Sequence, residues 1–152
     1  MQDGCGLCAK LASTTEPALF ENELWHVRPI DAPAGVPGWM LMVARRHVPG
    51  PALFSEREAV SFGPTWCHLQ RVLLEVTGAL RIYTAALGES ARHFHGHLVP
   101  RFERMPKEAV GWSVFDLERA AKAGEVVVDP ADVAQFTAAY ALALKSNPPP
   151  AP

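Results

Sequence analysis

The sequence predicts one α+β domain, in which a long helix and helices near the C-terminus cover an antiparallel sheet. The predicted order is two strands, a long helix, two more strands and then helices, which is typical of α+β proteins. A length of 152 residues suits one hydrophobic core. Hydrophobic residues make up 49% of the chain and charged residues 20%, the usage of a globular protein. We expect the domain to cover residues 1–146 and a proline-rich, flexible tail to cover residues 147–152.

The first two strands are predicted on either side of a turn. In ELWHVRPI, residues 23–30, apolar and polar side chains alternate as they do along a half-buried strand. The next segment, DAPAGVPG at residues 31–38, holds two prolines and two glycines and favours a turn. It is followed by the mostly apolar WMLMVARRH at residues 39–47, which is typical of a buried strand. The short connection predicts an antiparallel pair.

A long helix is predicted next. Ser55 followed by Glu58 is a capping-box pattern, which marks a helix start. From Phe62 to Leu80, apolar residues recur at spacings of three and four, which predicts about six helical turns. We expect Pro64 to kink the helix or to delimit its first turns, because proline removes an amide donor. Gly78 is a plausible C-cap.

The remaining chain predicts two strands and two helices. Residues 80–88 carry β-branched and aromatic residues before a glycine, and residues 93–101 form a fourth strand that is ended by a proline. Helices are predicted over residues 112–122 and 130–145. The sequence therefore predicts four strands, with the long helix between the second and the third and two further helices after the fourth.

Net charge excludes some functions. The chain has 14 lysines and arginines against 16 acidic residues, a formal charge of -2, and a pI of about 6.3. Without a global basic field, we expect no binding to nucleic acid or to an anionic membrane. No apolar run reaches the roughly 18 residues that cross a bilayer, and the N-terminus has no apolar signal region. These observations favour a cytoplasmic location.

Three histidines are clustered within five residues. On a strand, residues i, i+2 and i+4 point to the same face, so His93, His95 and His97 would stack three imidazoles in a row. A strand that needed only a solvated face would more readily use threonine, lysine or glutamate. The cluster therefore points to a metal site or to histidine nucleophilic and acid–base chemistry.

A Cys-x-x-Cys pair lies near the N-terminus. In a reducing compartment Cys5 and Cys8 are more typical of a metal or redox pair than of a structural disulfide, while Cys67 is expected to be a small buried side chain. Tetrahedral zinc needs two further ligands, for which His47 and one histidine of the cluster are available. If a metal took all three clustered histidines, the two cysteines would be unexplained. The economical division is a structural zinc site plus histidine chemistry.

The segment HFHGHLVPR at residues 93–101 resembles the signature of the histidine triad family of nucleotide hydrolases and transferases. The similarity extends from CGLC through VPGWMLMVARRHV, the long helix and the ALG strand, over roughly residues 3–105. The resemblance implies a histidine-triad-like α+β fold and a homodimer. It also implies a hydrolase that cleaves at the α-phosphate of a nucleoside phosphoramidate or dinucleoside polyphosphate, through a nucleotidyl-histidine intermediate.

The resemblance also implies roles for single residues. His95 would be the nucleophile, and His97 would donate hydrogen bonds to phosphate oxygens. The Ser90 hydroxyl would contact the phosphate and the leaving group. Asp31 would accept hydrogen bonds from the ribose hydroxyls, and the base would lie against Ile30.

Zinc-bearing members of the family imply a ligand set as well. At the matching positions this sequence has Cys5, Cys8, His47 and His93. This set agrees with the division reached from ligand counting, and it makes structural zinc the expected cofactor.

Three positions depart from the family pattern. Trp39 stands where many relatives have a fourth histidine, Thr84 where asparagine is common, and Glu89 where an amide often contacts phosphate. A missing auxiliary hydrogen bond and a repelling carboxylate could reduce turnover. Three alternatives therefore stay open: a nucleotidyltransferase or phosphorylase that uses phosphate or a sugar phosphate as acceptor, a non-catalytic nucleotide-binding protein, and a catalytic metal at the triad.

Overall fold

In the part of the chain that the structure describes, a five-stranded antiparallel sheet with four α-helices forms the fold, which confirms the α+β prediction. The computed structural model describes residues 2, 4–13, 18–89 and 91–152. Its strands are β1 (Phe20–Glu21), β2 (Trp25–Pro29), β3 (Met40–Ala44), β4 (Arg81–Ala85) and β5 (His95–Arg101), in the spatial order β1-β2-β3-β5-β4. Its helices are α1 (Gly6–Ala12), α2 (Glu56–Thr77), α3 (Val114–Lys122) and α4 (Pro130–Ser146), with short 3₁₀ turns at Pro51–Leu53 and Gly111–Ser113.

The register of the central strands decides which side chains share a face. His95 of β5 lies opposite Val43 of β3, and His97 lies opposite Leu41. Because alternate residues of a strand point to opposite faces, the two histidines share one face of the sheet. Phe94, which precedes β5, and Leu98 are 2% and 0% exposed and belong to the core against α2, as the alternation predicts.

The long helix starts and ends where the sequence predicts. The Ser55 side chain accepts from the Glu58 amide, and the Glu58 carboxylate accepts from the Ser55 amide, so the capping box is complete. Gly78 caps the other end in the left-handed conformation, at φ 61°. Pro64 does not delimit the first turns, because one α-helix of 22 residues runs through it. Helix α4 packs on α2, and the Tyr140 hydroxyl donates to the Leu69 carbonyl at 3.0 Å.

Several local predictions need correction. Helix α1 and the two-residue strand β1 were not predicted, and the predicted strands extended beyond the observed ones at their ends. Strand β5 begins at His95, so His93 lies before the strand and not within it. Cys67 is exposed on α2, not buried. None of the helices in the described part of the chain has the length and apolarity needed to cross a membrane.

Strand β5 leaves no space for a side chain at Gly96, which predicts a measurable effect of substitution on stability. A Cβ atom added to Gly96 would lie 2.4 Å from the indole ring of Trp66 on α2, so the helix or the ring would have to move. We expect Gly96→Ala to lower the free energy of unfolding by about 1–3 kcal/mol, the usual cost of overpacking a core. Urea unfolding measures it, and Gly50→Ala is the control, because an added Cβ there meets nothing within 4 Å. Equal stability of the two variants would contradict this packing.

Candidate active site and metal site

Four side chains from three separate segments converge near the start of β5. Cys5 caps α1 and Cys8 lies one turn further on, while His47 follows β3 and His93 precedes β5. The Cys8 sulfur lies 3.4 Å from His47 Nδ1 and 3.5 Å from His93 Nδ1, and the Cys5 sulfur lies 3.5 Å from His93 Nδ1. Among the described residues, these four form the one group of histidine, cysteine and acidic side chains that could hold a metal ion, with all ligand atoms within 4.8 Å of one another.

The spacing of these atoms fits tetrahedral zinc. Zinc bonds of about 2.3 Å to sulfur and 2.0–2.1 Å to nitrogen place neighbouring ligand atoms roughly 3.3–3.8 Å apart. The His93 Nε2–H donates to the Ala44 carbonyl at 2.6 Å, because a carbonyl oxygen can only accept. That bond leaves the Nδ1 lone pair directed at the two sulfur atoms, as second-sphere contacts do for metal-bound histidines. Burial lowers the pKa of His93, which favours the neutral imidazole that a metal needs.

His95, the middle histidine, has a defined tautomer. Its Nδ1–H donates to the His93 carbonyl at 2.7 Å, and the oxygen can accept but not donate. The Nε2 atom of the neutral ring is therefore unprotonated. His95 is half-buried, and its ring centre lies 5.3 Å from that of His97. An imidazole nitrogen that carries a lone pair can act as a nucleophile.

His97, the third histidine, lies in an aromatic setting. The Trp39 indole N–H donates to His97 Nδ1 at 3.1 Å, so the departure from the family pattern at Trp39 supplies a hydrogen bond to the triad. The Phe115 ring on α3 packs edge-on against both rings, with centres 5.3 Å away. Burial is the main cause that lowers the pKa of His97 to about 4, and a positive charge on His95, whenever that ring is protonated, and the charge of Lys122 lower it further.

Helix α3 packs against His97 and Trp39 through Phe115. The helix is anchored on the turn between β2 and β3. The Gly35 amide donates to the Glu118 carboxylate at 3.0 Å, and a Cβ atom at Gly35 would lie 2.4 Å from the backbone of Leu117. The Lys122 ammonium forms an ion pair with the other Glu118 oxygen at 2.9 Å. Sequence reasoning missed Phe115, since nothing local distinguishes it from other apolar residues of an amphipathic helix.

The predicted nucleotide-binding residues lie beyond β2. Asp31 bonds the Arg28 guanidinium at 2.8 Å and also the Lys10 ammonium. Burial would raise the pKa of Asp31, but the hydrogen bonds from Lys10 and Arg28 outweigh it and hold the pKa below its usual value. Ile30 is half-buried against the cluster that contains Trp39 and Val99. The Lys10 partner of Asp31 could not be predicted, because Lys10 lies on the unpredicted helix α1.

The other predicted contacts are less constrained. Ser90 lies outside the described residues, so its proposed contact with phosphate stays a prediction. Thr84 and Glu89 are both exposed. The structure thus brings together the four proposed metal ligands, and it places His95 and His97 side by side on the same face of the sheet.

Solved structures share this arrangement of strands and helices. A histidine triad protein from Marinobacter aquaeolei matches with a TM-score of 0.65 and 19% identity, over 86% of this chain and 89% of that one. A zinc-bound histidine triad family protein from Mycobacterium smegmatis matches with a TM-score of 0.62 and 17% identity, over 95% and 98%. A histidine triad protein from Bradyrhizobium japonicum matches with a TM-score of 0.58 and 22% identity, over 82% and 87%. This chain has the histidine triad fold. No family profile and no curated protein matches the sequence, so the likeness lies in the fold.

Within the histidine triad fold, the half-buried third histidine makes stability depend on pH. The folded pKa of His97 is about 4, below the ordinary 6.5, so below about pH 6.5 the unfolded chain binds more protons. The free energy of unfolding is therefore expected to fall as the pH falls from 6.5 to 4. The slope of the unfolding free energy against pH reflects how many more protons the unfolded chain binds than the folded one. In His97→Gln this difference should be smaller by up to one proton.

Urea unfolding of both proteins at several pH values measures this difference. Burial also lowers the pKa of His26 and His93, but both residues are present in the variant, so the difference between the curves isolates His97. If the free energies of unfolding of the two proteins changed with pH in parallel, the neutral state of His97 in the folded protein would be contradicted.

Proposed function

We propose that this chain is a nucleotide hydrolase that cleaves at the α-phosphate of a nucleoside phosphoramidate or dinucleoside polyphosphate. The observation that carries the proposal is the hydrogen bond from His95 Nδ1 to the His93 carbonyl, which leaves Nε2 unprotonated. The histidine triad fold and the adjacent His97 support the same chemistry.

In the proposed reaction His95 Nε2 attacks the α-phosphorus. A phosphorus–nitrogen bond forms as the bond from phosphorus to the leaving group breaks; the leaving group takes the electron pair and a proton from solvent, which gives a nucleotidyl-histidine. Water then attacks the same phosphorus and loses a proton to solvent, the phosphorus–nitrogen bond breaks, and a nucleoside monophosphate and the neutral imidazole are released. Two easier steps replace one difficult step.

The neighbours of His95 would bind the rest of the nucleotide. His97 would donate to a phosphate oxygen, where negative charge increases during attack. Asp31, held ionised by Lys10 and Arg28, would accept hydrogen bonds from the ribose hydroxyls. Ile30 would contact the base, and Ser90 would contact the phosphate and leaving group.

We assign the four converging side chains to structural zinc. Cys5, Cys8, His47 and His93 supply four ligands, so the site is complete without a water molecule or a substrate group. Such a site would join α1 to the segments that flank β3 and β5. The carbonyl of His93 orients His95, so the metal site would also support the nucleophile.

The assembly and location are part of the same proposal. We expect a homodimer in the cytoplasm that binds nucleotides but neither nucleic acid nor membranes. Size-exclusion chromatography with light scattering measures the oligomeric state, and a monomer at micromolar concentration would contradict the dimer.

A substrate panel with metal quantification on the same sample tests the function. Release of a nucleoside monophosphate from a phosphoramidate or a dinucleoside polyphosphate would support hydrolysis. Products that form only when phosphate or a sugar phosphate is added would instead show a transferase. Calorimetric nucleotide binding without turnover across the panel would favour a non-catalytic nucleotide-binding protein.

A further inference from the structure

Trp39 makes a hydrogen bond that defines the state of His97. Its indole N–H lies 3.1 Å from His97 Nδ1, and an indole N–H can donate but not accept. The Nδ1 atom must therefore carry a lone pair. The single proton of the neutral ring is then on Nε2, the nitrogen that Trp39 does not contact.

The surrounding packing keeps this bond in place. Trp39 is 1% exposed, and its ring centre lies 5.7 Å from that of His97 in an edge-on arrangement. Phe115 contacts both rings from α3, which is itself anchored by the bond from Gly35 to Glu118. The indole therefore has no space to turn its N–H away from the imidazole.

The charges around His97 also oppose a second proton. After burial, which is the main cause, the charge of Lys122 on α3 lowers the pKa of His97, and so does His95 on its own strand whenever that ring is protonated. A doubly protonated ring would also present an N–H at Nδ1 to the indole N–H. Two donors cannot bond each other, so protonation would break the contact.

We infer that Trp39 is a positioning residue that keeps His97 neutral with its proton on Nε2, so that His97 is a constant hydrogen-bond donor to the substrate phosphate and not a titrating acid. The role in turnover rests on the proposed hydrolase function, whereas the tautomer does not. Trp39 stands where many relatives have a fourth histidine, so the sequence suggests that a hydrogen bond to the triad is missing. The Trp39 indole N–H supplies that hydrogen bond.

Nuclear magnetic resonance of the whole protein, with ¹⁵N-labelled histidine, tests the tautomer. His97→Gln identifies the His97 signals. In the unmodified protein we expect Nδ1 to stay unprotonated and Nε2 protonated from pH 8 to pH 5. In a variant that carries benzothienylalanine at position 39, sulfur replaces the N–H and the ring shape is kept. There, His97 should populate Nδ1–H or take up a second proton within this range. Unchanged His97 spectra in this variant would overturn the inference.

Kinetics test the role in turnover, with a matched control. Loss of one hydrogen bond should lower kcat at pH 7 about fivefold and leave KM nearly unchanged. Benzothienylalanine at position 112 is the control, because Trp112 is 71% exposed and stacks on Phe115. An unchanged kcat in the position-39 variant would overturn the role in turnover. Absence of turnover in the unmodified protein would reject the proposed function, while the spectra would still confirm or overturn the tautomer.

Discussion

Replacing His95 with alanine should reduce turnover about 10⁴-fold or more, because nucleophilic catalysis loses the atom that forms the covalent bond. The variant should fold, since His95 is only half-buried and its one described hydrogen bond is to the His93 carbonyl. Nucleotide binding should change little, because the proposed ribose and base contacts lie on Asp31 and Ile30. The expected result is therefore a loss of kcat with a nearly normal binding constant.

Trapping of the intermediate makes this prediction sharper. The unmodified protein, incubated with a nucleotide substrate that is labelled at the α-phosphate, should acquire an acid-labile label on His95. The label should be absent from His95→Ala and present in His68→Gln. His68 on α2 is the matched control, because it is not part of the triad. Its ring forms a hydrogen bond with the Asn147 carbonyl at 2.9 Å. Label that persists in His95→Ala would reject His95 as the nucleophile.

Loss of the metal should lower stability before it lowers activity. Metal binding to the folded state adds stability in proportion to the logarithm of metal concentration over Kd, about 4 kcal/mol at a thousandfold excess. For a domain of this size each kcal/mol shifts Tm by about 2–4 °C. We therefore expect chelation to lower Tm by about 10 °C. Cys8→Ser should do the same, because Cys8 is 2% exposed and contacts both histidine ligands.

A second cysteine provides the control for this experiment. Cys67 is exposed on α2 and lies outside the metal-ligand group, so Cys67→Ser should keep one zinc per chain and an unchanged Tm. Differential scanning calorimetry and elemental analysis of the same samples measure both quantities. If chelation abolished activity at once and left Tm unchanged, the metal would be catalytic and the structural assignment would be wrong.

The parts of the fold that were predicted depend on short-range patterns. The capping box at Ser55 and Glu58 and the apolar spacing of α2 are read within a few residues, and the helix formed there. The alternation along residues 93–101 likewise predicted one common face for His95 and His97, and strand β5 has it. Helix α1 and strand β1 were missed because they have seven and two residues. Elements so short depend on tertiary contacts for their stability.

The metal group was predicted from ligand types, whereas the contacts around the triad were not. Cysteines at this spacing are typical of a metal or redox pair, the available histidines complete a zinc ligand set, and the structure brings the four residues together. By contrast, the sequence shows Trp39 only as a departure from a family pattern. The bond to His97 spans 58 residues and depends on the register of β3 against β5 and on the pose of α3.

The sequence by itself predicted the α+β class, the long helix and the common face of His95 and His97, and its resemblance to the histidine triad family added the four candidate metal ligands. These follow from periodicity and from the chemistry of the residue types. Only the tertiary structure decided which nitrogen of His93 and of His97 carries the proton. The Ala44 carbonyl makes that choice for His93 and the Trp39 indole for His97, and packing brings both within hydrogen-bond distance, whereas the partner of His95, the His93 carbonyl, is only two residues away. A tautomer depends on the partner of each ring nitrogen, and partners distant in the chain meet only after folding.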